Sequence, residues 1–353
     1  MQTIQEGLAK VKVHTGKISR ELPVFYNPLM KTNRDSSILI LKSLNKKNLQ
    51  IALPLAASGV RGIRLLKELP KSTIKNIVFN DLNPKAIKSI KENIKLNKIK
   101  SNKIIIKNQD ANLFLLQSKG FDYIDLDPFG SPNPFLNNAI QRLSRTGILA
   151  ITATDTSALT GTFPRVSQRK YWAQTFKNEL MHELGLRILI RKVQLIGMQF
   201  DKALTPIFSF YKDHYYRIFF QNKKSKEACD NIVKQHLYFL YNPKTLERKT
   251  SKYNKEDNFI YIGPLWTGQL FEKKLMSKIK TEDKFFQTLK KELNLIGFYD
   301  LHKIAKVHKT KVPQTEDIIK KIKKLKFKAA PTHFSSTGFK STIPLKKLIS
   351  TLK

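Results

Sequence analysis

LQIALPLAASGVRGIRLLKELPKSTIKNIVFND, from Leu49 to Asp81, is the stretch on which the fold turns. It opens with a short apolar run, LQIALPL (49–55). Gly59 and Gly62 then bracket a turn into a helical segment, Val60 to Leu69, that Pro70 stops. IKNIVFN (74–80) is a second run of strand-forming residues. A strand, a helix and a second strand in succession make a βαβ unit, whose two strands must lie parallel.

The same alternation continues outward. KIIIKN (103–108), FDYIDL (121–126) and GILAITAT (147–154) read as further strands, with helices expected over 84–96 and 134–143. Five such strands predict an α/β fold with an open, mostly parallel, doubly wound sheet. After the polar loop TSALTGTFPR the pattern predicts one helix over 166–185. Two strand-like runs follow, QLIGMQFDKALTPIFSFYKD and HYYRIFFQN. NKKSKEACDN reads as a linker. The expected organisation is therefore a first domain over 1–222, with an N-terminal extension, and a smaller basic α+β domain over 223–353. Helices are expected there near 269–295 and 315–326.

In an open parallel sheet the ligand lies beyond the carboxyl ends of the strands, where strand order reverses, so those ends carry the functional reading. The first strand runs into AASGVRG (56–62), whose small residues let backbone N–H groups and a helix N-terminus approach an anion; Arg61 adds a cation for a carboxylate. The second strand ends in Asp81, placed to accept from both hydroxyls of a ribose. The third ends in QDAN (109–112), where Asp110 suits an adenine amino group and the Ala111 backbone the ring edge. Together they suggest an adenosine-bearing cofactor.

The fourth strand ends in IDLDPFG (124–130). A nucleobase amine is a poor nucleophile because its lone pair is delocalised into the ring, and acceptors aimed at its N–H groups favour the tetrahedral nitrogen that transfer needs. Asp127 supplies one acceptor and the Pro128 carbonyl another. Phe129 offers a face for a base extruded from its stack, and Asp127 can take the proton that the nitrogen loses. Asp125, two residues earlier, reads as support.

With 65 Lys and Arg against 27 Asp and Glu, the net charge is +38 over 353 residues, which makes nucleic acid the expected partner. The excess is spread along the chain: residues 221–353 hold 30 basic and 12 acidic side chains. A 41% hydrophobic content argues against wholesale disorder. No signal peptide and no run approaching the ~18 apolar residues of a membrane span is visible. A soluble, cytoplasmic protein is expected, with no membrane association and no obligate protein partner evident. The single cysteine, Cys229, excludes an internal disulfide and a thiolate zinc cluster, so no metal is expected.

Several stretches resemble the tRNA (guanine-N2)-dimethyltransferases, the Trm1 family acting on guanine 26: VFYNPLMKTNRD (24–35), AASGVRGIR (56–64), IDLDPFGSP (124–132), ITATDTSALTGTFPR (151–165), FYKDHYYR (210–217), GPLWTGQL (263–270) and THFSSTGFKS (332–341). The resemblance covers nearly the whole chain. It implies a Rossmann-like class I methyltransferase domain, S-adenosylmethionine as cofactor, tRNA as partner, and monomethylation followed by dimethylation. It implies that Arg34, Arg61, Asp81, Asp110 and Ala111 contact the cofactor, with Asp127 catalytic and Phe129 beside the base. It also implies that the second domain handles tRNA. Some relatives bind zinc there through a cysteine cluster that this chain lacks, which leaves lysines and aromatics such as Trp266, Phe334 and Phe339 as candidate tRNA contacts, core packing being favoured for Trp266.

Nothing in Asp127-Pro128-Phe129-Gly130 itself names guanine. On the residues alone, methylation of adenine N6 or of a ribosomal RNA guanine fits as well, and a non-catalytic RNA-binding protein on the same fold remains open.

Overall fold

The computed structural model describes residues 1–14 and 22–352. Seven strands form the central sheet: β1 (Leu49–Leu53), β2 (Ile74–Asn80), β3 (Ile104–Lys107), β4 (Phe121–Leu126), β5 (Leu143–Ala153), β6 (Lys202–Lys212) and β7 (Tyr215–Lys224). Their order is β3-β2-β1-β4-β5-β7-β6. The pairs from β3 through β5 are parallel. β6 and β7, joined by Asp213 and His214, close the edge as a hairpin, the one connection this short that neighbouring strands permit when antiparallel. Order therefore reverses between β1 and β4, and the doubly wound sheet expected from the sequence is present.

The central strands are buried on both faces: Ile51, Ala52 and Leu53 of β1, Tyr123, Ile124 and Leu126 of β4, and Ile148 through Ile151 of β5. Gly62, in the helix Val60–Glu68, lets that helix approach the sheet closely. A Cβ there would fall 2.2 Å from the Phe79 ring and 2.7 Å from Leu53.

The N-terminal extension is a hairpin, Gln2–Glu6 with Ala9–Val13. Ala9, Val11 and Val13 pack on Val60 and Ile63 of the Gly62 helix. Asn93, on the helix Pro84–Leu96, and Asn97, just beyond it, accept from the Lys12 and Lys10 amides.

The chain divides into two compact units, Met1–Ala153 with Ile196–Phe208 and Arg217–Lys226, and Thr154–Leu195 with Ser209–Tyr216 and Glu227–Lys353. Where the sequence offers one cut between residues 222 and 223, the chain passes between the units several times, last between Lys226 and Glu227.

The second unit holds two three-stranded antiparallel sheets. In one, His236–Tyr241 lies between Arg248–Ser251 and Ile260–Trp266; in the other, Gly338–Ser341 lies between Tyr299–Asp300 and Ala329–Pro331. Helices surround them, including Lys284–Lys291 and Thr315–Lys324, in the α+β arrangement expected.

One expected helix is broken. Over 166–185 the chain forms Pro164–Tyr171 and then, after a gap, Met181–Met198. Trp172 turns left-handed (φ 56°) and Gln174 is diverted into a β-bridge with Gly263, a tertiary contact that periodicity does not register. The second helix also consumes QLIGM (194–198), expected as strand, because a short apolar run fits either period.

An ionic cluster lies buried inside the second unit. Lys340 Nζ stands 3.2 Å from Glu183 and 3.1 Å from Glu292, and donates to the Leu295 carbonyl. Glu292 also meets His333 Nδ1 at 2.6 Å. The Tyr211 amide donates to His333 Nε2, which leaves Nδ1 as the donor to Glu292.

Candidate functional site

The ends of β1, β2, β3 and β4 converge as the strand order requires. Beyond β1 the chain turns through Ala57 and Gly59, both left-handed (φ 46° and 76°), into the Gly62 helix, whose N-terminus has no side-chain cap. A Cβ at Gly59 would also press on Ile90 at 3.1 Å, so glycine is required for both conformation and space.

Asp81, beyond β2, holds this loop in place: one carboxylate oxygen accepts from the Ala57 amide at 2.8 Å and the other from Asn83 at 2.9 Å. The buried Asn80 amide donates to the carbonyls of Pro54 and Gln109, joining the ends of β1 and β3 to β2. Asp110 caps the helix Ala111–Gln117, accepting from the Asn112 and Leu113 amides on Oδ1. Ala111 is buried as the first residue of that helix.

IDLDPFG places two carboxylates in opposite roles. The Asp125 side chain is sealed from solvent. It receives both Arg217 nitrogens at 2.8 and 2.7 Å, the Tyr123 hydroxyl at 2.5 Å and Ser37 at 3.3 Å. Burial alone would raise its pKa, but Arg217 and Arg61 outweigh burial and hold it down at about 2. Asp127 keeps 23% of its side chain exposed and pairs with Arg61. Arg61 is fixed in turn by Asn33 and Ser37, each at 2.8 Å. The expected supporting role of Asp125 thus has a structure, and Arg61, expected at a cofactor carboxylate, lies against Asp127.

Arg34 sits with the N-terminal hairpin. Glu6, itself buried, accepts from Arg34 Nε at 2.7 Å and from Nη2, and Nη2 also reaches the Asn27 carbonyl. Burial would raise the Glu6 pKa; Arg34, Tyr26 and Arg64 bring it to about 2. The same clamp pushes the Tyr26 hydroxyl up to about 12, through burial and then Glu6.

Phe129 remains 45% exposed, a large apolar ring held in water. Its neighbour is Phe25, edge-on with centroids 4.2 Å apart. Two exposed leucines, Leu82 after Asp81 and Leu113 after Ala111, add apolar surface at the same strand ends. Phe25 is absent from the sequence-derived site because only the resembling stretch VFYNPLM pointed to it. Asn33 and Arg217 likewise lie in the resembling stretches VFYNPLMKTNRD and FYKDHYYR without a role read for them, and Ser37 had no signal at all. Trp266, Phe334 and Phe339 are all buried, so they belong to the core and are not tRNA contacts. Among the described residues, no group of three His, Cys, Asp or Glu is placed to hold a metal, and no helix is long and apolar enough to cross a membrane.

The family model of the N2,N2-dimethylguanosine tRNA methyltransferases matches residues 6–353. The chain belongs to that family. Among relatives of this methyltransferase family, the tRNA (guanine(26)-N(2)/guanine(27)-N(2))-dimethyltransferase of Aquifex aeolicus is 37% identical, covering 100% of this chain and 96% of its own. The tRNA (guanine(26)-N(2))-dimethyltransferase of Pyrococcus horikoshii is 34% identical, covering 99% and 97%. The structure of Trm1 from Pyrococcus horikoshii with S-adenosyl-L-methionine superposes with a TM-score of 0.90 at 33% identity, covering all of both chains. The central sheet is accordingly that of a Rossmann-like methyltransferase.

Proposed function

We propose that this chain transfers methyl groups from S-adenosylmethionine to the exocyclic N2 of guanine 26 in tRNA, giving N2-methylguanosine and then N2,N2-dimethylguanosine, in the cytoplasm. The observation that carries the reading is the pair Asp127 and Phe129: a carboxylate held by Arg61 yet open to solvent, beside an exposed ring that faces Phe25.

The strand ends fit the cofactor. The uncapped N-terminus of the Gly62 helix offers backbone N–H groups to its carboxylate, and Arg61, in the first turn of that helix, and Arg34 are its proposed cations, although each already pairs with an acid of the protein, Asp127 and Glu6. Asp81 is the acceptor for the ribose hydroxyls; each of its oxygens has one lone pair left beyond the backbone bond it makes. Asp110 spends Oδ1 on its helix cap, which leaves Oδ2 for the adenine amino group in this reading, with the Ala111 backbone at the ring edge. Leu82 and Leu113 supply apolar surface for a flat ring.

S-adenosylmethionine supplies an electrophilic methyl group whose C–S bond breaks as the new N–C bond forms, the electron pair staying on sulfur. Asp127 and the Pro128 carbonyl accept from the two N2–H groups, drawing the lone pair out of the guanine ring. Phe129, braced edge-on by Phe25, offers its exposed surface to the extruded base; flipping costs a few kcal/mol, which cationic contacts to the tRNA backbone from residues 223–353 help to offset. As N2 becomes cationic, Asp127 takes its proton. Arg61 keeps Asp127 in place between the two rounds of methylation.

Nucleoside mass spectrometry of a tRNA transcript treated with enzyme and cofactor tests the reading. Mono- and dimethylguanosine that vanish when guanine 26 is replaced support it. Methylation of adenine, or of ribosomal RNA only, overturns it.

A further inference from the structure

The buried arginines among the described residues face carboxylates: Arg34 and Arg64 share Glu6, Arg61 has Asp127, Arg187 has Glu183 and Arg217 has Asp125. Arg248, in the second unit, is only partly buried and has a different set of partners. Its guanidinium donates to the Phe298 carbonyl and lies over the Tyr299 ring at 4.2 Å, and among the described residues no carboxylate pairs with it. Burial pulls the Arg248 pKa down, whereas Arg217, beside Asp125, is driven up despite burial. Tyr299, Glu183 and Glu179 attract the guanidinium but do not outweigh its loss of water, and an anion in direct contact with it would stabilise it further.

Arg248 opens onto a cavity of about 750 Å³ in the second unit. Lys249, Thr250 and Thr342 also line it, with the rings of Phe239 and Phe259. The acid in its lining, Glu247, accepts from Thr245 outside the cavity. Lys249 pairs with the half-exposed Glu256, a surface contact that a phosphate can displace. A second cavity, of about 490 Å³, shares Leu295 and Thr342 with the first and is lined by Lys273, Lys290, Lys291 and Lys328. Cations and aromatic faces in one nucleotide-sized recess, continued by a lysine-lined one, match the chemistry of an RNA strand: phosphate on the cations, base stacked on a ring or a guanidinium plane.

We propose that the Arg248 cavity receives one nucleotide of the substrate tRNA, its phosphate on Arg248 and Lys249, with the adjoining phosphates tracking toward Lys291 and Lys328. The assignment rests on tRNA being the substrate. The same phosphate chemistry is offered by a free nucleotide or by inorganic phosphate, and the test separates these sources.

Unaltered enzyme is irradiated with tRNA carrying 4-thiouridine, and crosslinked peptides are sequenced. Crosslinks to the segments holding Phe239, Phe259 or Tyr299 are expected. In parallel, Arg248→Gln should raise the tRNA KM about tenfold and lower the slope of log affinity against log salt by about 1. Arg248→Lys should restore part of both, and thermal melting confirms that each variant is folded. If the enzyme methylates tRNA but the crosslinks fall elsewhere and Arg248→Gln binds tRNA like the parent, the cavity assignment is overturned while the activity stands. If AMP or inorganic phosphate binds the unaltered enzyme and loses affinity in Arg248→Gln with tRNA binding unchanged, the ligand is a free phosphate and the assignment is again overturned. Absence of any methyl transfer to tRNA overturns the substrate reading itself, and this inference with it.

Discussion

At the end of β4 the Asp127 carboxylate leaves 23% of its side chain in water, whereas Lys340 and Glu292, in and beside THFSSTGFKS (332–341), have none exposed. Both stretches are rich in polar side chains, and both resemble their counterparts in the family. They differ in closure. Around Lys340 the partners are supplied within the protein: two carboxylates and the Leu295 carbonyl for the lysine, the histidine, Thr332 and a backbone amide for Glu292. Around Asp127, among the described residues, Arg61 meets one carboxylate oxygen, and the side chain stays partly exposed. A polar motif whose partners are all internal holds a fold, and one whose partners are incomplete awaits a ligand.

Substitutions at the two places should therefore fail in different assays. Asp127→Asn should cut methyl transfer by about 10²- to 10⁴-fold, the usual yield of a positioned acid–base group, with little change in thermal melting or in cofactor affinity by calorimetry. Loss of cofactor affinity instead would break the distinction. Lys340→Met should do the reverse. The change leaves Glu292 without its lysine and Glu183 with Arg187 alone, and breaking such a buried pair costs about 3–5 kcal/mol, read as a fall in urea-unfolding free energy. A stable Lys340→Met protein with impaired transfer would mean that the cluster serves the chemistry.

The acid limb sharpens the contrast. Glu6 has its pKa depressed from 4.5 to about 2, so it contributes stability that is fully present above about pH 4.5 and lost as pH falls through about 2. The shift corresponds to something on the order of 3 kcal/mol. Glu6→Gln should be less stable at neutral pH and should lose less between pH 4.5 and 2 than the parent does. Equal acid sensitivity of the two proteins would remove Glu6 from that role. The smallest effect is expected at Phe25→Ala: base stacking of about 1–3 kcal/mol implies a loss of kcat/KM for tRNA of about 5- to 150-fold at unchanged stability. A variant with unaltered kinetics would show that Phe129 holds the base without its neighbour.

Much of the fold and of the site is legible in local sequence patterns. β2 and β4 span the residues read from the sequence, Ile74–Asn80 and Phe121–Leu126, and the helix Pro84–Leu96 does too, because each is a local pattern of burial and capping. The acids at Asp81, Asp110 and Asp127 fall at strand ends for the same reason. The N-terminal hairpin gives no such signal, since QTIQEGLAKVKV acquires its apolar face only against Val60 and Ile63. The broken helix at Trp172 follows from a bridge to Gly263, a partner about ninety residues away by sequence.

The sequence by itself determined the parallel sheet, the ends at which chemistry collects and the basic charge that suits RNA, because periodicity, turn residues and composition are local or additive. Only the tertiary structure decided which of two aspartates in IDLDPFG is sealed and which is open. That choice depends on Arg217 reaching Ser37 across 180 residues and on Arg61 reaching Asp127 across 66. Burial and pairing are properties of neighbours in space, and a side chain's neighbours at such separations exist only once the chain has folded.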